Sequence, residues 1–132
     1  VSYLLFASSA LMVIGAIILA ALRTVFVGPQ ELTPLVHVLA NGWGFSLLLL
    51  AGLFLHAAAD PPRHLLVVLV AMLTMAFKTA NDLYGMLVLP PGLALALVAD
   101  LVLSVGVLVG MLRELPATID AAKALRSNPT AR

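Results

Sequence analysis

An all-α fold is what the sequence predicts: an integral membrane bundle of four helices with both termini in the cytoplasm. Three observations carry it. The first is composition, since the 132-residue chain is 63% hydrophobic and only 10% charged, with a mean hydropathy of +1.16. An ordinary soluble domain is about 45–50% apolar and about a quarter charged, and small domains bury the smallest share of their surface. A freely soluble enzyme is therefore excluded, as is a disordered or nucleic-acid-binding chain. The second is length: at about 20 apolar residues per crossing, four crossings use roughly 80 residues and leave short loops and a tail. The third is that the apolar residues fall into four runs separated by Pro, Gly and charged residues. None of the runs shows the period-2 alternation of a barrel strand.

The first run covers residues 2–22 and is closed by Arg23. Gly28, Pro29, Glu31 and Pro34 punctuate the connection that follows. The second run covers 35–59 and ends at Asp60-Pro61-Pro62-Arg63. The third covers 64–89, where Pro90-Pro91-Gly92 imposes a turn. The fourth covers 93–112 and is expected to stop at Arg113-Glu114-Leu115-Pro116. Residues 1–115 thus form the membrane domain, and 116–132 a cytoplasmic tail. Within that tail Thr118 is placed to cap a short interfacial helix with a thin apolar side of Ile119, Ala122 and Leu125.

Basic residues set the orientation. With four crossings, the termini and the 60–64 loop share one side, which holds Arg63, Arg113, Lys123, Arg126 and Arg132 against Arg23 alone on the other. The positive-inside rule places that richer side in the cytoplasm, as in a bacterial inner membrane. The chain opens at Val1-Ser2-Tyr3-Leu4 without the basic start of a cleavable signal peptide, so the first segment reads as a retained helix. The missing Met points to a removed start residue or to residues preceding Val1.

Three charges lie at membrane depth. Thr74, Lys78, Asn81, Asp82 and Gly85 share one face of the third helix, and Gly92, Ala96, Asp100 and Ser104 one face of the fourth. If Pro90-Pro91 turns a helical hairpin, Lys78 and Asp100 both stand roughly 15 Å from it at 1.5 Å per residue. Unpaired charges there cost at least about 2.5–3.5 kcal/mol each, so both are expected to point inward and pair, with Asp82 competing for Lys78. Asn41 on the second helix joins them, giving a buried polar cluster of Asn41, Lys78, Asn81, Asp82 and Asp100. Such a network either registers the helices or lines a ligand pocket or proton path. One lysine with two carboxylates exceeds what packing needs, which favours a site.

Ala40-x-x-x-Gly44 and Gly106-x-x-x-Gly110 are small-x-x-x-small pairs that let helices approach, within the bundle or onto another subunit. His37 and His56 stand about 28 Å apart along one helix, too far to share a metal. His56, in Gly52-Leu-Phe-Leu-His56, loosely resembles the pigment-binding stretch of light-harvesting helices, where a small residue precedes the ligand His by four. A chlorophyll-type pigment or haem held by His56 is accordingly one expectation, beside bound lipid, with an interfacial hydrogen-bonding His the other. There is no cysteine, no Ser-His-Asp grouping, no H-E-x-x-H and no phosphate-cradling loop, so no enzyme activity is expected.

The layout resembles small four-helix bacterial membrane proteins of the DoxX-like group over residues 2–112. The shared features are a Gly-rich second helix (Asn41, Gly42, Trp43, Gly44, Phe45, Ser46), a basic residue in the third and an acidic residue, Asp100, in the fourth. The resemblance implies an inner-membrane accessory protein. The leading expectation is a non-catalytic subunit packed against other membrane proteins in a larger respiratory or photosynthetic assembly. The alternatives are a small lipophile-binding or ion-coupled protein that uses the polar cluster, and a pigment- or haem-binding bundle.

Overall fold

The computed structural model describes residues 1–19, 34–88 and 91–127, and among these the chain is an all-α four-helix bundle. Helix α1 is Ser2–Ile17, α2 Pro34–Ala58, α3 Leu65–Val88 and α4 Pro91–Ser127. The expected connection around Arg23, Gly28, Pro29 and Glu31 and the turn residue Pro90 lie outside the described residues, as do the side chains of His37, Gly92 and Ala96.

Proline marks two starts. Pro34 opens α2 and Pro91 opens α4, positions where the missing N–H has no intrahelical acceptor to lose and the fixed φ suits a helix. Between α2 and α3, Asp60-Pro61-Pro62 stops one helix, and a tight turn starts the next. In it the Arg63 N–H donates to Asp60 O at 3.2 Å and the His64 N–H to Pro61 O at 3.1 Å. The Arg63 side chain also closes on the Asp60 carboxylate at 2.9 Å.

Packing concentrates in two pairs, α1 against α2 and α3 against α4, with thinner contact between the pairs. The inward residues recur at alternating steps of three and four. In α3 they run Val68, Ala71, Met75 and Asp82, with the half-buried Lys78 between the last two. In α2 the same spacing gives Gly44, Ala51 and Phe54 with half-buried Leu47. That 3–4 rhythm is the seam of nearly parallel or antiparallel helices. Buried hydroxyls are satisfied within it: Ser8 donates to Leu4 O at 2.9 Å, and Ser9 reaches across to Ala51 O, also 2.9 Å. The latter ties α1 to α2.

The fourth helix departs from expectation. It does not stop at Arg113–Pro116 but runs 37 residues with Pro116 inside it. The inward stripe Ser104, Val107 and Met111 continues through half-buried Leu115 to Thr118 and Ala122, both buried. That continuous face offsets the hydrogen bond that a mid-helix proline removes. Thr118 is consequently not a cap: its hydroxyl donates to Glu114 O at 3.0 Å from mid-helix. Tyr3 donates to the Glu114 carboxylate, which fixes the start of α1 beside this part of α4.

The outward faces are apolar as well. Phe6, Phe45, Leu49, Leu66, Leu73, Phe77, Leu87 and Val102 are each at least 60% exposed. Among the described residues, Ala40–Ala58 and Leu65–Val88 are long and apolar enough to cross a membrane, with mean hydropathies of 1.3 and 1.5.

The glycines divide. A Cβ on Gly110 would come within 2.9 Å of Leu4 Cδ2, and one on Gly44 within 3.6 Å of Ala16 O, so these two do seat α4 and α2 against α1. Gly106 does not: among the described residues nothing lies within 4 Å of its Cβ position. Of the two roles expected for Gly106, contact within the bundle is therefore not made among the described residues, which leaves the outward one. Opposite outcomes are expected at the two positions. Gly106→Ala should be neutral or raise stability by up to about 1 kcal/mol through helix propensity, whereas Gly110→Leu should cost about 1–3 kcal/mol by overpacking Leu4. Thermal unfolding of the two variants followed by circular dichroism distinguishes them; equal shifts would contradict the assignment.

Candidate functional site

The stripe on α3 carries its polar residues at one end. Because Lys78 and Asp82 are four apart on the inward face, they meet along the helix, with Nζ 3.2 Å from Asp82 Oδ2. The same ammonium contacts Asp100 Oδ2 on α4. Lys78 therefore does not choose between the two carboxylates but bridges them, and so cross-links α3 to α4. Asp82 is 3% exposed, and the Lys78 and Asp100 side chains retain 18% and 36%. Next to Lys78, the Thr79 hydroxyl donates to Met75 O at 2.9 Å and lies 3.3 Å from the hydroxyl of Ser104, one turn beyond Asp100, a second polar link between the same helices.

The triad lines a partly open cavity of about 670 Å³ to which all four helices contribute. Its walls are mostly apolar: Leu11 and Met12 from α1, Leu47 and Leu50 from α2, Leu73 and Phe77 from α3, Leu97 from α4. Polar groups converge on it from one side, with Thr74, Lys78, Asn81 and Asp82 on α3, Asp100 on α4 and Ser46 on α2. The rim includes Trp43 and Phe77, which are 57% and 62% exposed. A cavity of this size with a few placed polar groups has the dimensions of a small-molecule site.

Of the expected buried cluster, Lys78, Asp82 and Asp100 come together here, and Asn81 lines the cavity but is exposed rather than buried. Asn41 is exposed on α2 and is not part of the cavity wall, where Trp43 and Ser46 stand instead. Sequence reasoning missed the aromatic rim, Ser46, Gly15 and the Thr79–Ser104 link. Ser46 follows Asn41 by five positions, so a helical wheel separates their directions by more than a quarter turn. That signal was available.

The expectation of a pigment or haem at His56 is corrected. His56 is exposed in the last turn of α2, and its ring lies 4.9 Å from that of His64 at an interplanar angle of 59°. The two rings thus stand tilted beside each other, with His64 half-buried. Gly52, one turn back, has nothing within 4 Å of its Cβ position among the described residues. Among the described residues, no group of three or more His, Cys, Asp or Glu side chains is placed to hold a metal ion, and the chain has no cysteine.

Comparison with family models, curated proteins and solved structures finds no match to this chain.

Proposed function

We propose that this chain is a small four-span membrane protein that binds an amphiphilic molecule in the cavity between its helices. The observation that carries the reading is the cavity itself: a largely apolar chamber with one charged, hydrogen-bonding end. An apolar tail fits the leucine-lined part and a head group meets the Lys78-Asp82-Asp100 end. The membrane setting is supported by the apolar outer faces, which a bilayer covers at no cost, and by the two spans of sufficient length. Basic residues at the end shared by the α2–α3 connection and the far part of α4 support a cytoplasmic location for that end, in the manner of a bacterial inner-membrane protein.

Protein released into mild detergent should carry a bound amphiphile in native mass spectrometry. Ser46→Trp, which fills the cavity from α2, should lose it while keeping its helical circular dichroism. A bare 13.8 kDa chain for wild type and variant alike would reject the reading.

A second reading, the accessory subunit of a larger membrane assembly that the DoxX-like layout implies, is favoured by one observation. Among the described residues, nothing lies within 4 Å of the Cβ positions of Gly42, Gly52 and Gly106, so another helix can approach closely there. Migration of the natively purified protein as a lone chain would count against it.

A further inference from the structure

Resting on the amphiphile-binding reading, we infer that the ligand carries a single positive charge: a single-chain amphiphile from the surrounding bilayer whose ammonium-type head docks against Asp82 and Asp100. Charge balance in a partly open, mostly apolar cavity points to this head group. Three charged side chains line the cavity, Lys78, Asp82 and Asp100, and one ammonium set against two carboxylates leaves one negative charge. Nothing else on the described walls balances it. The α1 lining is Leu11, Met12, Gly15, Ile18 and Leu19, and the α2 lining offers Trp43 and Ser46 as its polar or aromatic members. Charges withdrawn from water demand a partner.

The position of each group sorts the head-group classes. Asp82 is buried and held along α3 by Lys78, whereas Asp100 is the more open of the two, with 36% of its side chain exposed. An incoming anion would meet two carboxylates and an ammonium already committed to both. A neutral hydroxyl would leave the residual charge unbalanced. A monocation completes the set, giving two positive and two negative groups. The rim adds a second preference in the same direction, because the faces of Trp43 and Phe77 attract cations electrostatically. The rest of the wall accepts the chain.

Trp43 is the only tryptophan of the chain and stands on the cavity rim, so its emission reports occupancy directly. The full-length protein in neutral-lipid nanodiscs would be titrated with three dodecyl probes, bearing a trimethylammonium, a hydroxyl or a sulfate head. Concentrations stay below those that disturb the bilayer. The trimethylammonium probe should saturate Trp43 emission at a midpoint at least tenfold below that of dodecanol, with the sulfate weakest. Asp100→Asn, nearly isosteric, should erase the tenfold preference of the ammonium probe over dodecanol measured on the same variant, and Asp82→Asn should do likewise. Equal midpoints for ammonium and hydroxyl probes would overturn the inference, the residual charge then being neutralised by a proton, and the cavity reading would stand. A preference retained in both Asn variants, or tighter sulfate binding, would also overturn it. No saturable response to any of the three would bring down the cavity reading together with the inference.

Discussion

Lys78→Met should destabilise the bundle by about 3–5 kcal/mol, the cost of breaking a buried ion pair from one side. The size follows from where the three groups stand. Asp82 is 3% exposed, so without Lys78 its carboxylate has neither water nor a counter-ion and must take a proton or force the helices apart. Asp100 is more than a third exposed and is better able to be solvated. Asp100→Asn is therefore expected to cost well under half as much, since exposure screens the interaction. The double variant Lys78→Met/Asp82→Asn should recover most of the loss, because an orphaned charge, not a lost attraction, is what makes the single variant unstable. Unfolding in a mixed-detergent series, followed by circular dichroism, measures all three. A Lys78→Met protein as stable as wild type would mean that the α3–α4 bridge is not buried in solution.

On the proposed membrane setting, Phe54→Ala is expected to cost roughly 2–3 kcal/mol, short of the roughly 3–5 kcal/mol typical of a buried aromatic in a water-soluble core. Phe54 has no exposed surface and is among the largest side chains of the core, so truncation leaves a void between the helices that its neighbours cannot fill. In water-soluble proteins the cost has two parts, the transfer of apolar atoms and the void. In a bilayer the first nearly vanishes, since lipid tails are as apolar as the core, and lost dispersion contacts remain. The same unfolding series tests this. A loss below about 1 kcal/mol would show that the helices repack freely around position 54.

Much of the architecture was readable from residue order. Runs of Leu, Val, Ala and Met long enough for a helix, broken by Asp60-Pro61-Pro62 and Pro90-Pro91, place α2 and α3 within one residue of their ends. The inward charges were readable too, because Lys78, Asn81 and Asp82 recur at helical spacing in an otherwise apolar stretch. Pro116 misled: it was read as a stop because proline lacks a donor, yet the stripe of Met111, Leu115, Thr118 and Ala122 carries the helix through it. Gly106 shows a related limit of sequence spacing. Its four-residue spacing from Gly110 says that the two share a face, not that both touch a neighbour.

A chain with so few polar residues determines by itself that helices form, where three of them begin or end and which charges are trapped among them. Each of those follows from local chemistry: proline, glycine and charge in a field of apolar side chains. Where no such charge marks the inner face, which way a helix faces does not follow, because inward and outward residues are equally apolar and no hydrophobic stripe separates them. Tertiary contact alone decided that Lys78 is shared between Asp82 and Asp100, that the chamber opens beside them under Trp43 and Phe77, and that Gly110 meets Leu4 while Gly106 looks outward. The physical reason is that those outcomes depend on fit between surfaces far apart in sequence, where shape and a few polar atoms choose among faces that hydropathy leaves equivalent.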